Sequence, residues 1–259
     1  MESQTTNSFK QALRDGRAQI GLWSSLCSAI AVEVCAGAGF DWLLIDAEHA
    51  PNELPTIIGQ LQAMATATAA AVVRPPWNDT VLIKRYLDAG VRNLLIPYVQ
   101  SAEEARAAVA ATRYPPAGVR GVASIHRANR WARDKGYFQR ANDDMCVLVQ
   151  LETAAALERL EEIAAVPGVD GLFIGPSDLA ASMGHIGDIA NSSVREAIAN
   201  GIDRIGKAGK AAGILAPLEA DARHWLSLGA TFVAVGSDLN LLARHTEQLA
   251  ARFRSGNSA

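Results

Sequence analysis

The chain has 259 residues, 49% of them hydrophobic, enough for one large α/β barrel or two small domains. Charged residues make up 20% and the formal net charge is -3, a balance that argues against nucleic acid or an anionic membrane as partner. No apolar run is long enough to span a bilayer, and the first 19 residues hold no apolar signal core, so the expectation is a cytoplasmic protein.

A polar lead-in over residues 1–18 carries a short helix near 9–14. After it, short apolar runs alternate with helical segments. The runs lie at 18–23, 42–46, 70–74, 93–97, 145–152, 171–175, 212–217 and 231–236. Between and after them, apolar residues at three-four spacing predict helices over 30–38, 54–67, 80–89, 102–112, 154–165, 193–208, 220–228 and 239–253. Asn78-Asp79 and Ser101 are candidate N-caps, Ser101 forming a capping box with Glu104. Gly39, Gly90, Gly168 and Gly229 fall where helices should stop. Eight such strands and eight helices make the pattern of one (β/α)₈ barrel, a TIM barrel, over residues 1–259. The rival, a doubly wound open sheet, lacks a glycine-rich fingerprint after its first strand, where Trp23-Ser24-Ser25 stands.

The segment 115–144 breaks the rhythm. It holds Arg120, Arg127, Arg130, Arg133 and Arg140 with Trp131, Tyr137 and Phe138, and is expected to be a functional loop or to hide a short helix. It is read as leaving a strand's C-terminal side, where barrels keep their sites, and is expected to be an active-site loop. Cys27, Cys35 and Cys146 are odd in number and widely spaced, which does not suggest disulfides. Cys27 and Cys35 are expected to share the buried face of one helix, and all three to act as small buried hydrophobes.

The strands end in polar groups, on the rim where barrels of this kind keep their chemistry. The second ends in Asp46-Ala47-Glu48-His49, the third in Arg74-Pro75-Pro76 and the fifth in Gln150-Leu151-Glu152. The sixth ends in Gly175-Pro176-Ser177-Asp178 and the eighth in Gly236-Ser237-Asp238. Glu152 and Asp178, on successive strands, suit a hard divalent cation that completes its shell with water or substrate. The alternative is that both acids cap the helices that follow. His49 can pair with Asp46, which would fix its tautomer; the alternative is a surface histidine, and zinc is disfavoured because no second histidine or cysteine lies nearby. Arg74, ahead of two prolines, can hold a carboxylate or developing oxyanion, or else form an internal salt bridge to Glu152 or Asp88. His126 can touch substrate, whereas His224 and His245 read as structural. Gly236-Ser237-Asp238 reads as a helix cap rather than an anion site. None of the five lysines ends a strand, which disfavours an imine mechanism.

Gly21-Leu22-Trp23, the run from Ala38 to Asn52, and Val73-Arg74-Pro75 resemble the HpcH/HpaI family of class II pyruvate aldolases. So do Lys84-Arg85-Tyr86-Leu87-Asp88-Ala89-Gly90, Arg120-Gly121-Val122, Gln150-Leu151-Glu152-Thr153 and Phe173-Ile174-Gly175-Pro176-Ser177-Asp178-Leu179, in order over nearly the whole chain. The resemblance implies a pyruvate-binding (β/α)₈ barrel that cleaves 4-hydroxy-2-oxo acids reversibly to pyruvate and an aldehyde, with Mg²⁺, Mn²⁺ or Co²⁺. It implies Glu152 and Asp178 as metal ligands, Arg74 on the enolate oxygen, and His49 with Asp46 in proton transfer. Gln150, Gly175, Ser177, Trp23 and Leu215 would line the substrate pocket, and Asp88 would serve a neighbouring subunit's site. It further implies a homohexamer, a trimer of dimers, whose last helix at 239–255 packs on a partner. Two departures stand out: Ala47 where the family often has glycine, and a loop around His126 one residue shorter than the usual pattern. An acyl-CoA lyase on the same barrel, or a 2-oxo-acid sensor without catalysis, are the other readings.

Overall fold

The computed structural model describes residues 7–254. Eight parallel strands close into a barrel in sequence order. They are β1 (Gln19–Ser24), β2 (Trp42–Asp46), β3 (Ala70–Arg74), β4 (Asn93–Ile96), β5 (Cys146–Leu151), β6 (Gly171–Ile174), β7 (Ala211–Leu215) and β8 (Phe232–Ser237). The expected (β/α)₈ barrel is thus what forms. Helices α1 (Ser8–Arg14), α2 (Ala29–Ala36), α3 (Leu54–Ala63), α4 (Thr80–Asp88), α5 (Ala102–Thr112) and α6 (Tyr137–Asp144) precede β5. After it come α7 (Ala154–Glu158), α8 (Leu160–Ala164), α9 (Pro176–Ser182), α10 (Ser192–Lys207), α11 (Glu219–Ser227) and α12 (Asp238–Arg254).

Side chains alternate across each strand, so one set fills the barrel and the other meets the helices. In β2, Trp42 and Leu44 join the inner cluster, whereas Leu43 and Ile45 pack outward with Val32 of α2 and Ile57 of α3. In β5, Cys146 and Leu148 point in and Val147, Val149 and Leu151 point out. Small residues make room for large ones inside: a Cβ on Gly21 would sit 2.2 Å from the Trp42 ring. The inward rows are apolar in their lower layers. One step further along, the same rows continue as Asp46, Arg74 and Gln150, which are buried polar residues. The site is therefore the top layer of the barrel interior. The register pairs Asp46 with Arg74 directly across β2 and β3.

The opposite end is sealed by α1. Phe9 enters the inner cluster, its ring 6.0 Å from that of Trp42. Lys10 Nζ donates to the carbonyls of Asp143 (2.9 Å) and Met145 (2.7 Å), and Asn7 Nδ2 to Asn93 Oδ1 (2.7 Å). The expected short helix near 9–14 is this plug.

Several local expectations hold. Asp79 caps α4, and Ser101 caps α5 through its hydroxyl. Glu104, however, reaches back to the N–H of Gln100 rather than that of Ser101. Gly39 and Gly90 stop their helices with φ of +94° and +102°, a conformation that side-chain-bearing residues resist. Others need correction. The helix expected over 154–165 breaks at Arg159 into α7 and α8. Cys27 is not on α2: it stands before the Ser28 cap with φ 54°, and both Cys27 and Cys35 are partly exposed; only Cys146 is buried.

The largest correction concerns the segment 115–144. It follows α5 and leads into β5, and a helix-to-strand connection returns to the N-terminal ends of the strands. The insertion accordingly packs at that end: Ala128 N donates to Asp88 O (3.1 Å), and Arg127 Nη1 to Ala89 O (2.7 Å). It hides α6, as anticipated, but does not lie on its own barrel's catalytic rim. His126 is buried there, its Nδ1 accepting the Asn129 N–H, its ring 5.2 Å from that of Tyr137.

Candidate active site

Arg74 is the hub of the rim. Its guanidinium forms a two-pronged pair with Asp46, Nε to Oδ1 at 2.9 Å and Nη2 to Oδ2 at 2.7 Å. Nη1 meets Glu48 Oε2 at 2.8 Å. The cation also lies over the Trp23 ring, 4.9 Å from its centroid, and Trp23 Nε1 donates to Asp46 Oδ2 at 3.2 Å. The salt bridge anticipated for Arg74 exists, but its partners are Asp46 and Glu48 rather than Glu152 or Asp88. A guanidinium has five N–H donors; Asp46 takes two and Glu48 is an ion-pair contact, so donors remain on its terminal nitrogens.

Asp46 is spoken for. Its Oδ1 also accepts the backbone N–H of Glu48 (3.0 Å) and of His49 (3.4 Å). Burial alone would raise its carboxyl, but Arg74, helped by the Glu48 amide and the Trp23 indole, holds it below the usual range. The expected Asp46–His49 side-chain pair does not form. Asp46 binds the histidine's backbone, and the His49 ring stands exposed at the rim. The tight turn after β2 bends the backbone amides onto the carboxylate, which leaves no lone pair directed at the ring.

Glu152 is 2% exposed, one residue past the end of β5. Its Oε1 accepts from Gln150 Nε2 at 2.5 Å, and its Oε2 from the Tyr98 N–H at 2.9 Å. Burial pushes it up to about 7, and the negative charges of Glu48 and Asp178 add to the push. Gly175 makes this packing possible: a Cβ there would lie 2.7 Å from Glu152 Oε1. Asp178 sits exposed in the first turn of α9, whose N-cap is Gly175. Helix capping does not explain either acid. Thr153 caps α7 through its hydroxyl, and no side chain caps α9. At the eighth strand the cap reading does hold, with Ser237 Oγ accepting from Asn240 N. Asp238 instead gathers Ser24 Oγ (3.0 Å) and the N–H of Ser25 (2.8 Å), tying α12 to the loop after β1.

Among the described residues no group of three or more His, Cys, Asp or Glu side chains forms a ready-made cation cage. Glu152 and Asp178 nonetheless fit a divalent ion that keeps open positions. Three carboxylates, with Glu48, press on one another, and a cation would relieve what a protein side chain does not. Gln150 is 3% exposed with Oε1 left without a hydrogen-bond partner, and Leu215 is half-buried at the end of β7. Ser177 is exposed beside Asp178.

Two contributors went unassigned by sequence reasoning. Glu48 shares the Asp46–His49 stretch, yet nothing in the stretch tells which of its side chains turns toward Arg74. Tyr98 acts through its backbone, at φ 53°, which leaves no signal in a side-chain pattern.

The model of the HpcH/HpaI aldolase/citrate lyase family matches residues 19–245. The chain belongs to this family. A 4-hydroxy-2-oxo-heptane-1,7-dioate aldolase of Klebsiella pneumoniae is 59% identical over 248 residues, covering 95% of this chain and 94% of that protein. A hydroxypyruvate/pyruvate aldolase of Deinococcus radiodurans is 58% identical over 250 residues, covering 96% and 90%. A solved HpcH/HpaI family structure from Burkholderia cenocepacia superposes with a TM-score of 0.93 at 44% identity, covering 96% of this chain and all of that one. Family membership bears out the resemblance read from the motifs, and with it an aldolase, a carbon–carbon lyase. No helix among the described residues is long and apolar enough to cross a membrane.

Proposed function

We propose that this HpcH/HpaI aldolase cleaves 4-hydroxy-2-oxo acids reversibly to pyruvate and an aldehyde, with a divalent cation such as Mg²⁺, Mn²⁺ or Co²⁺ at Glu152 and Asp178. The observation that carries the reading is Arg74, clamped between two carboxylates and still holding free N–H donors beside a raised Glu152. The bound cation would supply Lewis-acid polarisation of the substrate's keto group.

The chain's residues do the rest. A base takes the C4 hydroxyl proton; the C4–O pair becomes the aldehyde carbonyl as the C3–C4 bond breaks. The electron pair of that bond forms the C2–C3 double bond, and charge collects on the C2 oxygen. The free edge of Arg74 receives that oxyanion. Asp46, Glu48 and Trp23 hold the guanidinium in place, so little reorganisation accompanies the charge shift. A proton returned to C3 gives pyruvate. Gln150, Gly175, Ser177 and Leu215 line the 2-oxo acid, and Gly175 keeps Glu152 close.

His49 is the candidate for proton transfer, exposed at the rim. Its orienting partner would be Asp88 of a second copy. Asp88 ends α4 at the far end of its own barrel, held by Arg120 Nη2 at 2.9 Å, so within one chain it cannot reach the rim. That position supports a homo-oligomer, with the hexamer as the expected form, in which 115–144 would face a neighbour's site.

The aldolase names at 58–59% identity favour this reading over the acyl-CoA lyase alternative. The test is a panel of 4-hydroxy-2-oxo acids with and without chelator. Pyruvate release that a chelator stops and Mn²⁺ restores is expected; cleavage indifferent to chelation would overturn the metal role.

A further inference from the structure

We propose that Trp77 and Tyr98 form an aromatic platform at the mouth of the barrel that selects the aldehyde half of the substrate. The proposal rests on the aldolase reading of the site and goes beyond it to the class of aldehyde preferred.

Both rings are exposed, Trp77 at 54% and Tyr98 at 42%, yet they stack on each other with centroids 5.9 Å apart and planes 29° from parallel. Each is tied to the machinery by a short, stiff link. Trp77 follows Arg74 across Pro75-Pro76, whose rings restrict the backbone. Tyr98 gives its N–H to Glu152 Oε2, and for that its backbone adopts φ 53°, a costly conformation for a bulky aromatic residue. Strain of this kind persists where the surroundings demand it, and here the demand comes from Glu152. The strained backbone also fixes where the Tyr98 ring goes.

Pyruvate is small and is accounted for by Arg74, Glu152 and Gln150. The C4 substituent extends from the 2-oxo acid toward the mouth of the barrel, and the loops after β3 and β4 that carry these two rings are part of that mouth. A stacked pair of exposed rings offers a flat apolar face with polar edges, which suits a planar or extended apolar group. The preferred aldehydes are therefore aromatic or long-chain apolar ones, rather than short hydroxylated ones.

The test compares the wild-type protein with Trp77→Ala and Trp77→Phe. Exchange of pyruvate methyl protons with solvent, with Mn²⁺ present, reads the pyruvate half alone. The aldol reaction of pyruvate with benzaldehyde, hexanal and glycolaldehyde reads the other half. For Trp77→Ala, exchange within twofold of wild type is expected. Its kcat/KM for benzaldehyde and hexanal should fall at least roughly tenfold relative to glycolaldehyde, a hydrophobic-contact effect of ordinary size. Trp77→Phe should restore most of that preference. An unchanged aldehyde ratio with normal exchange overturns the platform alone. So does an equal loss for all three aldehydes accompanied by a change in oligomer mass, which would make the pair a contact between copies. A wild-type protein without exchange would instead overturn the aldolase reading.

Discussion

The two ends of the barrel both bury charge, and they do it in opposite ways. At the N-terminal end Lys10 lands on two carbonyls and lies 3.5 Å from Asp170, while Lys210 Nζ donates to the Val169 carbonyl at 2.7 Å. Burial lowers Lys10, with Asp170 partly offsetting it, but the lysine's donors have partners. At the C-terminal end Arg74 faces Asp46 and Glu48, with Glu152 and Asp178 close by. Lys10 is completed by its own chain; the rim is short of a positive charge. A buried charge that finds its partners within the fold stabilises a shape, whereas an excess of one sign marks where something from outside is meant to bind.

Breaking the rim at its hub should have the largest effect. Arg74→Ala is expected to lower kcat for cleavage by at least on the order of 10²–10³, as for loss of an oxyanion donor. It also leaves Asp46 buried without its counter-ion, at a cost of ~3–5 kcal/mol in stability. Steady-state cleavage and thermal denaturation would measure the two; near-normal cleavage would remove Arg74 from the mechanism.

Next comes the pH response of Glu152. Its displacement from 4.5 to about 7 on folding corresponds to about 3 kcal/mol. Between those values the folded state holds a proton that the unfolded state has lost. The metal-free protein should therefore lose stability as pH rises through this window, and level off above it. Added Mn²⁺, which needs the ionised form, should recover stability increasingly toward neutral pH. Melting curves of wild type and Glu152→Gln would show it. A wild-type slope shared by the glutamine variant would mean Glu152 is not the group responsible.

The smallest effect belongs to the closed end. Lys10→Met removes the donor from two buried carbonyls and should lower stability by ~1–3 kcal/mol with kcat/KM for cleavage unchanged. Activity lost at full stability would show that the two ends are not independent.

The barrel itself was legible because its strands are near-continuous apolar runs and its helices carry a three-four period. The site was legible wherever a functional side chain continues an inward row. Asp46, Arg74 and Gln150 each stand two residues beyond an apolar inward neighbour, so strand periodicity alone aims them. Beyond the strands that arithmetic ends. The direction of Glu48, the backbone role of Tyr98 and the exposure of the His49 ring depend on loop conformations that no residue pattern encodes. The placement of 115–144 was a different failure. The segment is a long irregular insertion read as leaving a strand's C-terminal side, while its position between a helix and a strand already required the other end.

Asp238 has one more consequence, for the order in which the molecule can be made. A ribosome delivers β1 first and β8 last, and β1 pairs with β8. The loop after β1 is held by a carboxylate from the start of α12. Until residue 238 has left the ribosome, the stretch carrying Trp23 lacks one of its two neighbouring strands and its anchor. Trp23 is the aromatic face under Arg74. The rim is finished only when the last strand and the helix behind it arrive.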